Sequence, residues 1–514
     1  MNEAVEPIAE EQVEVMLTED QRRALEMMEE ERKQRLQNLS VTLSGKRKLA
    51  IEFRRASGIE EEWDECDVAY EGVDEHTQQK GTLTKPRSTE GRVTTSRGAP
   101  QARSTVFIGI TGPYVDSASA RVSDMLLPTD DRNWGIRPTP IPELEFMLKS
   151  EQEVQVQPEG MAPGMAPAKD VAQEKIDQAK QKAEKAQTRI DDWLTECQYH
   201  AEVRKGIESA ARLGTLVLKG PVPTKKKRRT VTTEGNVTAM VLKETLQPGT
   251  KAVDVRNFFP DPACGDNIHN GSFTWEVDYW SAKQLKDCES MPERLGYMPD
   301  EIQESLEEGP GKRNEDARNR KTVTDDERFE VWYFHGDISR EDLESTNCDC
   351  KAYTTDTVPA IITMVNDRII KAVISHLESG EFPYDVMPWK RRQGHWAGIG
   401  VAKQMNVAQR MLNAGARALM DNAGVSSGPQ IVIDKEAVRP ADGTYTLYGG
   451  KVWEKLPEAT MDDVRKAFHA ITIDSRQEQL MAIIQFAIKM AEDMTGLPLM
   501  MQGQTQPTTP DTVG

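Results

Sequence analysis

The chain has 514 residues, a formal net charge of -19 and an apolar fraction of 37%. That length calls for more than one hydrophobic core, since single cores stop growing near about 250–300 residues. The acidity excludes tight wrapping of nucleic acid, which needs a basic face, although it suits a surface past which DNA slides. No apolar run is long enough to span a membrane, which takes roughly 18 residues or more, and the acidic, polar N-terminus is not a signal peptide. Six cysteines fit neither a zinc ribbon nor a disulfide framework, so the chain reads as reduced and cytosolic, and Cys348 and Cys350 are too close for a structural zinc pair.

Thr18-Glu-Asp-Gln21 is a capping box that opens a charged helix to about Leu39. A second helical pattern runs from about Thr42 to Tyr70, with Leu49, Phe53 and Trp63 as its bulky apolar members. Together they predict a solvated helical hairpin with one buried stripe. From His76 to Arg103 the chain is loop-like and carries Lys80, Lys85, Arg87, Arg92, Arg97 and Arg103. An exposed loop is the plain reading, with contact to DNA or another subunit as its competitor. Val106–Ile110 reads as a short strand or helix start. Asp116–Leu126 is a helix capped by Asp116 or Ser117, and Trp134–Pro140 is extended by its prolines. The tandem Gly-Met-Ala-Pro at Gly160–Pro163 and Gly164–Pro167 predicts a low-complexity linker. A helix then runs from about Asp170 to Tyr199. Ile176, Ala179, Ala183, Ala186, Ile190 and Trp193 give it a short heptad-like seam, read as a surface strut before a coiled-coil arm.

Val203–Leu213 continues as helix, and Gly214–Gly220 is a strand by its β-branched content and flanking glycines. Pro221–Thr230 reads as a turn with Lys225-Lys-Lys-Arg-Arg229 at its tip. An exposed tip is the simpler account of that run, with phosphate contact as the main competitor and a nuclear-localisation signal also available. Val231–Leu246 alternates like the returning strand. Asp254–Asp261 and Ser272–Trp280 are strands, the second with Phe273, Trp275, Val277 and Tyr279 on one face, and Ser281 starts a short helix. Pro299–Glu327 is charged and reads as mobile. Phe329–Gly336, Ala360–Val365 and Ile369–Val373 are strands, the last two joined at Asn366-Asp367.

Phe382–Ile433 is the stretch around which the rest is organised. A Pro- and Trp-rich loop passes through Gly394, Gly398 and Gly400 into a long helix. Val401, Met405, Ala408, Met411, Leu412, Ala416, Leu419 and Met420 recur at three- and four-residue steps. Interleaved Ala414, Gly415 and Ala418 permit a close neighbour. Gln430–Ile433, Tyr445–Tyr448 and Val452–Trp453 suggest a small β-containing lobe, followed by a helix near Met461–Ala470. Ser475-x-x-Glu478 caps a second long helix from Asp474. Its stripe is Leu480, Ile483, Ile484, Ala487, Met490, Ala491 and Met494. Met481, Phe486 and Ile488 lie off that stripe, which predicts burial on most sides. Gly496 is its natural C-cap.

The sequence carries no recognisable catalytic motif. Gly309-Pro-Gly311-Lys312 lacks the spacing of a phosphate loop, and Gly398-Ile-Gly400 lacks a third glycine. The seven histidines are scattered. Asp130-Asp131 and Asp325-Asp326 read as a cap and a solvated loop before a two-metal nuclease site. The expectation is a protein with no catalytic residue, no metal and no cofactor.

Several blocks, in order and spacing, resemble the head-to-tail connector (portal) proteins of short-tailed double-stranded DNA bacteriophages. They are Trp63 with Tyr70-Glu-Gly72, Asp116–Pro140, Gly214–Pro221, Asp254–Pro262, Ile361–Pro388, Gly394–Ile433 and Met481–Gly503. The resemblance implies an α+β portal fold with an α/β wing, a two-helix stem and a small β-containing clip. Residues 1–381 would be the wing, with an insertion at about 149–200. Residues 382–423 would be the loop into the first stem helix, 424–461 the clip, 462–499 the second stem helix, and 500–514 the start of a channel-loop region. The family's C-terminal crown would lie beyond the sequence given.

By the same resemblance the protein is a structural, usually dodecameric ring at one capsid vertex, assembled in the host cytoplasm. Double-stranded DNA would pass through its channel during packaging and ejection. Its partners would be the major capsid protein, the terminase motor and then the tail adaptor protein, with no membrane. Arg476, Lys489, Gln502 and Gln504 would face the channel. Lys435, Glu436, Arg439 and Asp442 would dock the motor or adaptor, and Trp389, Trp396, Met405, Met411 and Leu419 would pack between subunits. Another virion assembly protein, such as a capsid–tail adaptor or scaffold, would not need paired helices flanking a β lobe. A packaging nuclease or ATPase would need the motifs that are missing.

Overall fold

The computed structural model describes residues 19–72, 104–128, 134–139, 141–149, 153–156, 164–234, 237–289, 291, 295–310, 328–346, 348, 350, 353–375, 377, 379–428, 430–445, 448–457 and 464–497. The loop at 76–103, Asp130-Asp131, Asp325-Asp326, Gln502 and Gln504 lie outside them.

Helix α1, Glu19–Ala56, runs unbroken for 38 residues past the expected break near Leu39. It turns instead at Gly58, whose φ of 71° needs a residue without a Cβ, and α2 follows as Ile59–Glu71. Its buried stripe is also not the expected one. Leu39, Leu43, Ala50 and Ile51 are buried, whereas Leu49 and Phe53 are exposed. The stripe positions between and beyond those apolar residues are Arg47 and Arg54, which an apolar count overlooks. Arg54 is 3% exposed. It donates to Glu60 at 2.7 Å and to the carbonyls of Arg256 and Phe258 at 2.9 and 3.0 Å. Its guanidinium stacks 3.6 Å from the Phe259 ring centre. Burial pushes its pKa down to about 10 against the opposing pull of Glu60, yet it stays charged at neutral pH.

α1 packs on a five-stranded antiparallel sheet in the order β5-β6-β7-β8-β9. Its strands are Phe258–Pro260, Phe273–Trp280, Phe329–Ser339, Thr357–Val365 and Arg368–Ile374. The strand expected over 254–261 is shortened, because Asp254 caps a 3-10 turn at Val255–Asn257. β6 is buried on both faces from Phe273 to Val277, since a second sheet covers the side away from α1. That sheet is β10-β3-β4, comprising Tyr384–Pro388, Thr215–Glu234 and Val237–Val253. Where the sheets meet, Glu276 is 2% exposed, ion-paired to Lys219, and accepts the Tyr384 hydroxyl at 2.7 Å. A buried carboxylate needs such partners.

Helix α3, Thr111–Leu126, begins before the expected cap at Asp116 or Ser117, and the residues leading into it form neither strand nor helix. The second Gly-Met-Ala-Pro is a strand, not linker. β2, Gly164–Pro167, pairs with β1, Glu153–Val156. Helix α4 is Pro142–Lys149, and α5, Ala168–Glu196, has a half-buried seam in which Ala186 and Trp193 are exposed. Helix α6 is Tyr199–Leu213. Pro221–Thr230 is not a turn. β3 and β4 stay paired to Glu234–Val237, so Lys225–Arg229 lie mid-strand.

Helices α7, Ala282–Glu289, and α8, Pro299–Glu308, pack on the face of the large sheet away from α1, over Phe329, Val331, Val365 and Ile370, and α9 is Arg340–Glu344. α8 thus orders the first part of a stretch expected to be mobile. Its remainder, 311–327, lies outside the described residues. The largest core joins α2, α3, α6 and β3 to the helix described next, through Trp63, Tyr114, Val217, Phe258, Tyr384, Trp396 and Met405.

Candidate functional site: two helices and the lobe between them

Helix α10, Val401–Ser426, starts from a crossing of backbones that only glycine allows. A Cβ on Gly214, where φ is 96°, would sit 2.5 Å from the Gly398 carbonyl oxygen, and one on Gly400 would sit 2.8 Å from that of Arg212. The contact is held by Trp389 N–H to Gly214 O at 2.9 Å and Gly398 N–H to the Thr215 hydroxyl at 2.9 Å. Gly398 and Gly400 are therefore packing glycines, not a nucleotide loop. His395 stacks between Phe53 and Trp396, and its Nδ1 accepts from Ala397 N–H at 3.0 Å. Burial, then the nearby Arg392, lowers its pKa, so at neutral pH it is an uncharged packing group.

One row of α10 is polar and inward-facing. Gln409, Asn413, Arg417 and Asp421 recur every four residues, which stacks them along one side of a helix. They hold the extended segment 104–110 by its backbone. Gln409 Oε1 accepts from the N–H of Ile110 (2.9 Å) and Thr111 (3.2 Å), and its Nε2 donates to Ile108 O at 2.5 Å. Asn413 accepts from Ile108 N–H at 2.8 Å and Asp421 from Ser104 N–H at 2.7 Å, while Arg417 donates to Val106 O at 3.2 Å. An adjacent row of α10 meets the acids of α2. Lys403 lies 3.6 Å from both Glu62 and Glu65, and Arg410 lies 3.6 Å from Glu65. These contacts fix the rotation of α10 about its own axis. Apolar periodicity does not reveal this row; its sequence signal is four polar residues at a strict four-residue step.

Helix α11, Gln477–Thr495, packs antiparallel on α10. Asn422 near the end of α10 accepts the Arg476 N–H at 3.0 Å, and that bond stands where the expected Ser475 capping box does not form. Gly415 is the contact point: a Cβ there would lie 3.1 Å from Ile484 and 3.5 Å from Ile483. Gly496, at φ 67°, closes α11 as expected. Of α11 only Ala487 and Ala491 are buried. The expectation of burial on most sides therefore fails within one chain. Ile483, Phe486 and Met494 are 39%, 58% and 44% exposed. With the half-buried Met490 they form a stripe at three- and four-residue steps. Val407, Met411, Ala414 and Ala418 make a second such stripe on α10, with Val407 59% exposed. Antiparallel packing through Gly415 turns both stripes to the same side of the pair.

The lobe between the helices holds two small antiparallel sheets. β11, Gln430–Ile433, pairs with β14, Phe468–Ile471, and β12, Val438–Pro440, pairs with β13, Trp453–Lys455. Strand β14, preceded by a 3-10 turn at Val464–Ala467, replaces the expected helix near Met461–Ala470. β-branched and aromatic residues favour the pleated surface once a partner strand exists. Tyr445 and Tyr448 are not in strand, and the two residues between them lie outside the described set. The lobe's core is Ala437, Val438 and Ala467 under Trp453 and Phe468.

The predicted site residues fall apart on this frame. Trp396 is 4% and Met405 0% exposed in the chain's own core, so their packing is internal and the expectation that they pack between subunits is withdrawn. Trp389, Met411 and Leu419 are half-buried. Arg476 and Lys489 are both exposed, the first at the α11 N-cap. In the lobe, Lys435, Glu436, Arg439 and Asp442 are all exposed. Arg439 pairs with Glu454 across the strands at 3.0 Å. Asp442 is the hub of a turn, accepting from the Tyr448 hydroxyl (2.7 Å) and from the Thr444 hydroxyl and N–H (2.9 and 3.2 Å), which hold its pKa well below the usual carboxylate range. Among the described residues no three His, Cys, Asp or Glu side chains converge as a metal site, and no helix is long and apolar enough to cross a membrane.

The Phage SU10 portal protein family model matches residues 146–509, which takes in both helices and the whole lobe. The chain belongs to this phage portal protein family. A search of curated proteins finds no match. The family places the protein among structural components of the phage virion. Its mixed helix-and-sheet fold agrees with the α+β expectation.

Proposed function

We propose that the chain is the subunit of a portal ring of twelve copies at one capsid vertex, the conduit for double-stranded DNA during packaging and ejection. The observation that carries this reading is the antiparallel pair α10–α11, with an apolar side left uncovered and a β lobe between the helices. A closed ring needs a heterologous contact, one face of each copy against a different face of the next. An apolar two-helix side suits such a contact, and Met411 and Leu419 remain candidates beside it. In this reading residues 1–381 form the wing and α10 and α11 the stem. The clip runs from about 427 to 471, longer than expected because β14 pairs with β11. Lys489 and Arg476 face the channel, with Gln502 and Gln504 beyond them. The exposed Lys435 and Glu436 meet the terminase and then the tail adaptor, whereas Asp442 and Arg439 are committed to the lobe's own structure. The wing meets the major capsid protein.

Negative-stain electron microscopy with mass photometry tests this. Rings with a central hole and a mass near twelve times 57.7 kDa are expected. A uniform monomer or dimer at micromolar concentration overturns it.

A further inference from the structure

The lobe between α10 and α11 carries more apolar surface than it covers. Each of its sheets has two strands, with no third strand beside either among the described residues. A two-stranded ribbon is marginal in water by itself, and the buried core beneath these is only Ala437, Val438 and Ala467. A strand with one wet face alternates apolar and polar residues, whereas consecutive apolar residues mark a strand covered on both faces. β11 carries Ile431-Val432-Ile433. Ile431 and Ile433 stand opposite Ala470 and Phe468 and share their face, while Val432 shares the other with Ile471. Ile433 and Phe468 are half-buried on the lobe core. On the opposite face Val432 and Ile471 are 53% and 44% exposed.

The phase of the hydrogen bonds fixes which backbone groups are spare. Asp434 N–H donates to Ala467 O at 2.9 Å, continuing the register past the Ile433–Phe468 pair. Bonded and non-bonded pairs alternate along an antiparallel ladder, so Val432–His469 and Gln430–Ile471 are the bonded pairs. The N–H and C=O groups of Ile431 and Ile433 therefore point to the outer edge of β11, and those of Phe468 and Ala470 to the outer edge of β14. An edge of this kind is a template for pairing with another chain. Two β11 edges paired together would make a two-fold contact that closes at a dimer, whereas β11 against β14 is heterologous and runs on around a ring. The two strands are already antiparallel within one chain. Copies set side by side thus alternate β11 and β14 and stay antiparallel throughout. β11 follows α10 and β14 leads into α11, so a contact between lobes adjoins one between helix pairs.

We propose that the open edge of β11 pairs with the open edge of β14 in the neighbouring copy, joining the lobes into one continuous antiparallel sheet. The choice of a second copy as the occupant rests on the ring reading. Proline lacks the N–H and is tolerated where that group points away from the ladder. Ile431→Pro therefore blocks the β11 edge and Ala470→Pro the β14 edge, and neither removes a bond between the two strands of one chain. Ile431→Val and Ala470→Val keep the N–H groups and serve as controls. Mass photometry of the full chain is read across concentration. Each proline variant is expected to need at least about ten-fold more protein to assemble, since several backbone bonds are lost per contact. The valine controls should change by less than about three-fold. An equimolar mixture of the two proline variants keeps one competent edge on each, and is expected to stop at pairs with a mass near twice 57.7 kDa. Hydrogen exchange of wild type frees the test from the folding of any variant. The amides of Ile431, Ile433, Phe468 and Ala470 should slow on assembly, whereas those of Val432 and His469 should be slow in both states. Proline variants that form rings as wild type does, a mixture no heavier than either variant alone, or outer amides unchanged by assembly overturn the proposal and leave the ring reading standing. Wild type that never self-associates overturns both. Open filaments that either proline breaks uphold the pairing and remove the ring reading.

Discussion

Gln409 shows how much one amide can organise. It is 3% exposed, and it satisfies three backbone groups, Ile108 O, Ile110 N–H and Thr111 N–H, as well as the Thr111 hydroxyl. Its four-residue repeats Asn413, Arg417 and Asp421 extend the same attachment along α10. An apolar side chain of similar size leaves those groups buried without partners, and each such group costs roughly 1–3 kcal/mol. Gln409→Leu is therefore expected to destabilise the fold by about 3 kcal/mol in urea denaturation, with amide exchange accelerated at Ile108, Ile110 and Thr111. Exchange that is unchanged at those amides would show that segment 104–110 is held by other means. The sequence made Gln409 visible only as a polar residue inside an apolar stripe. Its partners lie some 300 positions away, so no local pattern names them.

Among the elements, the turn between β8 and β9 is held in part by charge. Asn366 and Asp367 both have positive φ, 50° and 65°, the geometry of a tight hairpin turn that usually recruits glycine. Tertiary contacts supply what glycine would have supplied. Asn366 donates to Gly309 O at 2.7 Å, and Asp367 accepts from Ser44 at 2.9 Å and pairs with the buried Arg47 of α1. Burial alone would raise the Asp367 pKa, but Arg47 and Ser44 outweigh it and hold the carboxyl below its ordinary 3.8. A carboxyl depressed in the folded state contributes stability that is complete above its unfolded pKa and lost as pH falls through its folded one. Thermal melts between about pH 5 and pH 2 should show Asp367→Asn losing less stability on acidification below about pH 4 than wild type does. Parallel acid profiles for the two proteins would refute the assignment. The pair's place as a turn was readable from the strands on either side, whereas its φ values and its arginine were not.

At the scale of the molecule, the uncovered side of α10–α11 sets the argument. Removing apolar groups that a single chain leaves in water should cost that chain little, since surface changes fall within about 0.5 kcal/mol. The same changes in a subunit contact remove its buried core. Phe486→Gln with Met494→Gln is expected to leave the melting of dilute monomer within about 2 °C of wild type while abolishing rings in mass photometry. Rings that persist would move the contact to another face, and a monomer that unfolds would show this side to be covered within the chain.

The sequence by itself determined the elements whose periodicity is strong and whose punctuation is local. These include the two long helices, the Gly496 cap, four of the five strands of the large sheet, and the order of blocks that marks a phage portal protein. Only the tertiary structure decided where pairing or burial overrides local pattern. Phe468–Ile471 became a strand because β11 lies beside it, and Lys225–Arg229 left the turn because β4 continues opposite them. Arg47 and Arg54 took core positions in α1 because Asp367, Glu60 and two carbonyls complete their charge and hydrogen bonds. Asp367 lies 320 residues from Arg47 and the two carbonyls lie 202 and 204 residues from Arg54, and even Glu60, six residues from Arg54, falls outside the three- and four-residue steps that periodicity scores.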